Sequence, residues 1–158
     1  MKEIACMKEP TREEDGSSFF NRCLDQALRY LGMREHNRKE LSVKLSEKGY
    51  DSAVIGKVLD QLENEGSLSE ERYVRSFVIS RNRRHPEGRN VMLQRLLQKG
   101  ADRTVARDVV SEIYTPEYTS QLAAEARDLI LKKNGDAGPA QLAFLLSKTG
   151  FRLSDIID

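Results

Sequence analysis

The chain has 158 residues, 39% hydrophobic and 32% charged, with five Phe, five Tyr, no Trp and a formal net charge of +1. That balance argues against a thick sandwich or barrel and suits a soluble helical protein with thin cores. The longest apolar run, residues 142–146, is too short to cross a bilayer, the N-terminus lacks the apolar region of a signal peptide, and Cys6 and Cys23 make no zinc or disulfide pattern.

Residues 1–17 carry mixed charge without an apolar stripe and read as a solvated, disordered tail. A first helix is predicted over 19–34, with Leu24, Ala27, Leu28 and Leu31 at helical spacing. Asn37 followed by Glu40 has the form of a capping box, and the short helix it opens stops at Gly49. Asp51 caps a third helix through Val54, Ile55, Val58, Leu59 and Leu62, ending near Gly66. Ser69 opens the next, with Glu70 and Glu71 placed where carboxylates favour the helix dipole. This helix buries Tyr73, Val74, Phe77 and Val78, and the aromatic pair reads as core and not as a base-stacking platform. Further helices start near Pro86 and after Asp102. Thr115-Pro116, a cap with proline at the first helical position, begins a helix to about Lys133. The chain turns at Asn134-Gly135, restarts at Pro139, and leaves only 153–158 for a last helix.

Three of these segments align on a glycine: LSVKLSEKGYDSAVIGKVL, MLQRLLQKGADRTVARDVV and LAFLLSKTGFRLSDIID. The glycines are Gly49, Gly100 and Gly150, at intervals of 51 and 50 residues. Four residues before each stands Leu45, Leu96 or Leu146, and eight before each Leu41, Met92 or Leu142. An apolar i, i+4 pair closed by glycine marks a helix with a left-handed cap. The predicted fold is therefore all-α, an elongated array of three tandem three-helix repeats over 18–66, 67–114 and 115–158, the last helix truncated.

The near-neutral total hides a basic centre. Between residues 72 and 99 lie Arg72, Arg75, Arg81, Arg83, Arg84, Arg89, Arg95 and Lys99 against the single acid Glu87, so this window carries +7 and the rest of the chain −6. Arg72, Arg75 and Arg83 project to one helical stripe, Arg81 and Arg84 lie at the frayed end before Pro86, and Arg89 opens the next helix. Arg95 and Lys99 flank an apolar face and read first as its solvating edge, in contrast to the cluster Arg81, Arg83, Arg84 and Arg89. Guanidinium binds phosphate or carboxylate bidentately, so an arginine-rich window points to an anionic partner: nucleic acid, or an acidic protein groove. No helix gathers Asn, Gln and Arg into a reading edge, so any DNA binding is expected to be blind to sequence.

Catalytic signatures are missing, and no enzymatic activity, metal or cofactor is expected. His36 and His85 stand at matching turns and read as solvated loop residues. Glu63, Glu65, Glu70 and Glu71 gather at one junction and read as caps and helix surface.

ALRYLGMREHNRKELSVKLSEKGY, then LSEERYVRSFVISRN, Gly88 and LLQKGA, resemble the RecX family of bacterial regulators of the RecA recombinase. Glu70, Arg72, Tyr73, Phe77 and Arg81 fall on that family's acidic, Arg, aromatic, aromatic and Arg positions. The likeness spans about residues 19–113. The third repeat shares its length and its Leu-rich helix before Gly150. Asn37 stands for a usual Ser, Ser69 for a usual Asp and Ala101 for a usual Ile. The resemblance implies a cytoplasmic protein that lies in the groove of the RecA filament on single-stranded DNA. It implies control of ATP hydrolysis, strand exchange and SOS co-protease activity, and so of homologous recombination and DNA repair. The effect is inhibition in most members and promotion of recombination in some. The eight basic residues would serve that contact, and the chain is expected to be a monomer with no membrane partner. The alternative reading is a sequence-nonspecific DNA-binding repeat protein that acts by competing for single- or double-stranded DNA.

Overall fold

The computed structural model describes residues 12–156. Those residues are all-helical: α1 (Arg12–Met33), α2 (Arg38–Glu47), α3 (Ser52–Asn64), α4 (Glu70–Arg84), α5 (Arg89–Gln98), α6 (Arg103–Ile113), α7 (Pro116–Asn134), α8 (Pro139–Thr149) and a single 3₁₀ turn at Leu153–Asp155. The expected tail falls mainly on residues 1–11, which with Cys6 lie outside the described residues, while residues 12–17 begin α1. The expected last helix is reduced to the 3₁₀ turn, and residues 157–158 also lie outside the described range.

The three glycine-aligned segments share one atomic device. At each helix end the residue after the glycine donates its N–H to the leucine carbonyl five positions back: Tyr50 to Leu45 at 3.3 Å, Ala101 to Leu96 at 3.1 Å, Phe151 to Leu146 at 3.2 Å. The glycine N–H bonds the next carbonyl, Ser46, Leu97 or Ser147. This pair of bonds is the Schellman closure. It needs a left-handed residue at the turn, and Gly49, Gly100 and Gly150 have φ of 87°, 84° and 89°. All three leucines are completely buried, so the cap also fixes an apolar anchor at the same place in each copy.

Helix starts follow the side chains that satisfy their open N–H groups. Asn37 Oδ1 accepts from Glu40 N–H at 2.7 Å, and Asp51 caps α3 through Ala53 N–H. Asp102 accepts from both Thr104 and Val105, while Ser69 and Thr115 cap α4 and α7. α5 begins at Arg89, after the Pro86 expected to open it, with Gly88 in the cap position and no side-chain cap.

The described chain forms two compact units: residues 12–34 with 41–68, and residues 35–40 with 69–156. In the first, α1 contributes Cys23 and Ala27, α2 Leu41 and Leu45, and α3 Ile55, Val58, Leu59 and Leu62 to a shared core. Burial raises the Cys23 thiol above its ordinary pKa, as suits an inert core thiol. The second core joins Tyr73, Val74 and Val78 of α4 with Met92 and Leu96 of α5, and Ala106, Val109 and Val110 of α6. Leu122, Ala123 and Ala126 of α7, Leu146 of α8 and Phe151 complete it. Each such leucine removed from water is worth about 2 kcal/mol, before the entropy of ordering the chain is subtracted. Tyr73 and Phe77 lie with ring centroids 6.0 Å apart, Tyr73 4% exposed and Phe77 packed against the same core, as expected of a core pair.

Candidate functional site

The second unit carries the basic window on α4 and α5, and its own carboxylates sort the eight expected residues into two classes. Arg72, on the outer face of α4, donates Nε to Glu35 Oε1 at 2.9 Å. Arg75, one turn on, is held between Glu71 and Glu112, whose hydrogen bonds raise its pKa further. Arg81 and Arg95 both bind Glu87. Arg81 places Nε and one terminal nitrogen on Oε1 at 3.1 and 2.7 Å, and Arg95 spans Oε2 and Oε1 at 2.8 and 2.7 Å. Half of the window is thus neutralised within the fold.

Arg83, Arg84, Arg89 and Lys99 form the other class. All four are exposed, and none forms an ion pair among the described residues. Arg83 and Arg84 make up the last turn of α4, where cations suit the helix dipole. Arg89 stands in the first turn of α5 and donates a terminal N–H to Ser111 Oγ at 2.6 Å. With Asn90, Arg152 and Ser154 it lines a groove of about 570 Å³. Lys99 closes α5, and its carbonyl accepts from Asn37 Nδ2 at 3.1 Å.

Glu87 is the residue whose role the sequence reading missed. Its side chain is 8% exposed. Burial alone would raise its carboxyl, but hydrogen bonds from Arg95 and Arg81, with their charges, outweigh that and hold its pKa below the ordinary value. Its backbone is fixed as well: its N–H donates to Asn82 Oδ1 at 3.1 Å, and its carbonyl accepts from the Tyr114 hydroxyl at 2.8 Å. Asn82 Nδ2 in turn donates to Tyr114 at 2.9 Å and Tyr118 at 3.4 Å. Burial pushes the Tyr114 hydroxyl up to about 12, so it stays protonated and able to donate. The sequence signal was present: Glu87 is the single carboxylate among eight cations, and a lone acid in such a field is an ion-pair hub.

Two further expectations changed on folding. His36 was expected to be a solvated loop residue but is 1% exposed, because the 35–40 segment packs into the second unit, where its neighbour Asn37 reaches Lys99. His85 is exposed, as expected. Glu70 does more than favour the α4 dipole: its carboxylate accepts from the backbone N–H of Arg38 at 3.4 Å and of Asp102 at 2.7 Å. Among the described residues no three His, Cys, Asp or Glu side chains gather as metal ligands, and no helix is long and apolar enough to cross a membrane.

A second groove of about 480 Å³ lies beside the Glu87 knot, reached by Lys133 of α7 and Lys148 of α8. Neither lysine was among the expected site residues. They come from the third repeat, outside the charge-dense window, and only the tertiary fold brings them to Arg81 and Arg95.

The family profile described as RecX, first three-helix domain, matches residues 23–62. The Regulatory protein RecX of Chlorobium phaeobacteroides is 35% identical over 112 residues, 71% of this chain and 70% of that one. The Regulatory protein RecX of Pelodictyon phaeoclathratiforme is 32% identical over 131 residues, 82% of this chain and 81% of that one. The crystal structure of RecX from Lactobacillus salivarius superposes with a TM-score of 0.75 at 19% identity, covering 88% of this chain and 92% of that one, a likeness of fold.

Proposed function

This chain belongs to the RecX family of regulatory proteins, and on that premise we propose that it modulates the RecA recombinase by binding its filament on single-stranded DNA. The observation that carries the reading is the likeness to relatives named as regulatory proteins over four-fifths of both chains. In this reading Arg83, Arg84, Arg89 and Lys99 supply the phosphate or carboxylate contacts, because their charges are not spent on internal partners. Arg72, Arg75, Arg81 and Arg95 act chiefly by holding α4, α5 and the Glu87 turn in place, presenting only their outer edges. The direction of regulation is inhibition of ATP hydrolysis, strand exchange and co-protease activity, and the protein acts without a cofactor.

The test is ATP hydrolysis by RecA on single-stranded DNA, measured as the protein is titrated in. Inhibition well below the concentration that coats the DNA is expected. Inhibition that begins only at coating concentrations would replace this reading with simple competition for DNA, and no effect at any concentration would remove the RecA assignment.

A further inference from the structure

We propose that the groove between α4, α5, α7 and α8 is a docking site for an acidic, leucine-bearing segment of a partner protein. Its floor is aliphatic, made by Val91 of α5, Leu129 and Ile130 of α7 and Leu145 of α8. Leu129 is 49% exposed, so the groove leaves a large apolar side chain in water. The rim is cationic. Arg81, Arg95, Lys133 and Lys148 line it against one carboxylate, Glu87, a net of +3.

Lys133 and Lys148 are in no ion pair among the described residues, and Lys148 lies 4.4 Å over the Phe144 ring. Arg81 and Arg95 use one edge of each guanidinium on Glu87 and keep about a third of their side-chain surface in solvent. A volume of about 480 Å³ holds several side chains and exceeds what a single ion would fill. Charge complementarity therefore calls for carboxylates on the occupant, and the floor calls for aliphatic side chains between them.

Single-stranded nucleic acid fits less well. Its bases gain most from large aromatic platforms, and no Phe, Tyr or Trp lines this groove, the one ring among its lining residues being the His85 imidazole. None of Arg83, Arg84 and Arg89 lines this groove, and the proposal stands whether or not the filament assignment holds.

The experiment uses the full chain and a fluorescent synthetic peptide with leucines three and four residues apart on one helical face and glutamates elsewhere. Binding is followed by anisotropy. Lys133→Glu with Lys148→Glu, and separately Leu129→Asp, should each weaken binding about tenfold or more while leaving the circular dichroism spectrum unchanged. Replacing the peptide leucines by serine should have a similar effect. Equal binding by the charge-reversed chain, or by the serine peptide, would overturn the proposal. So would a loss of oligo-dT affinity in the lysine variant as large as the loss for the peptide, which would make the groove a nucleic-acid site. A dimer in sedimentation that Leu129→Asp dissolves would overturn it too, by showing a second copy on this face.

Discussion

Glu87 shows how one residue converts a charge excess into structure. Eight cations in 28 residues would repel one another, and a nearly buried carboxylate gripping two of them relieves part of that field. Removing its charge leaves two guanidiniums facing a neutral group. With both arginines about a third exposed, water recovers some of the loss, and Glu87→Gln is expected to cost about 2 kcal/mol in urea unfolding. The pH dependence has a definite sign. The folded carboxyl titrates below its unfolded value of about 4.3, so the stabilisation is complete above that value and is lost as pH falls through the lowered folded value. The stability gap between wild type and Glu87→Gln, measured from neutral pH down to about pH 3, should narrow on the acid side. Tyr114→Phe takes the donor from the Glu87 carbonyl and an acceptor from Asn82. Tyr118 remains within 3.4 Å of Asn82, so the expected loss is about 1 kcal/mol.

At the level of helices, most boundaries were legible because they are set by neighbours in sequence. A glycine with positive φ, a capping Asp, Ser, Thr or Asn, and a proline after Thr115 act within a few residues, and a linear reading sees them. The start of α1 was not legible: Gly16, Ser17 and Ser18 favour a break locally, yet the helix runs through them from Arg12. The close approach at Gly88 was hidden as well. Its N–H bonds the Thr149 carbonyl at 2.7 Å, and a Cβ there would overlap the Gly150 carbonyl, a contact between residues some sixty positions apart. Two glycine substitutions should therefore differ in kind. Gly49→Ala meets open space and is expected to cost about 1 kcal/mol from its left-handed backbone alone. Gly88→Ala has ordinary φ but must displace backbone, and should lower the urea midpoint by clearly more.

Across the whole molecule, counting charge located the basic region but did not reveal which charges remain available. Arg72 and Arg75 find carboxylates 37 residues away in sequence, at Glu35 and Glu112, and Arg81 and Arg95 share Glu87. The lone acid marked Glu87 as a hub, but no linear pattern announces the pairings with Glu35 and Glu112, because they depend on which helix faces meet. The same reason hid Lys133 and Lys148. The cations left exposed and outside ion pairs among the described residues are fewer than the sequence suggested: those at the end of α4, the start of α5 and Lys99. The most direct measurement is the affinity of the Arg83→Glu, Arg84→Glu, Arg89→Glu triple variant for RecA filaments on single-stranded DNA, across a salt series. A drop of about tenfold or more with a shallower salt slope and unchanged helicity is expected. An unchanged affinity and slope would contradict the assignment of these arginines to the contact.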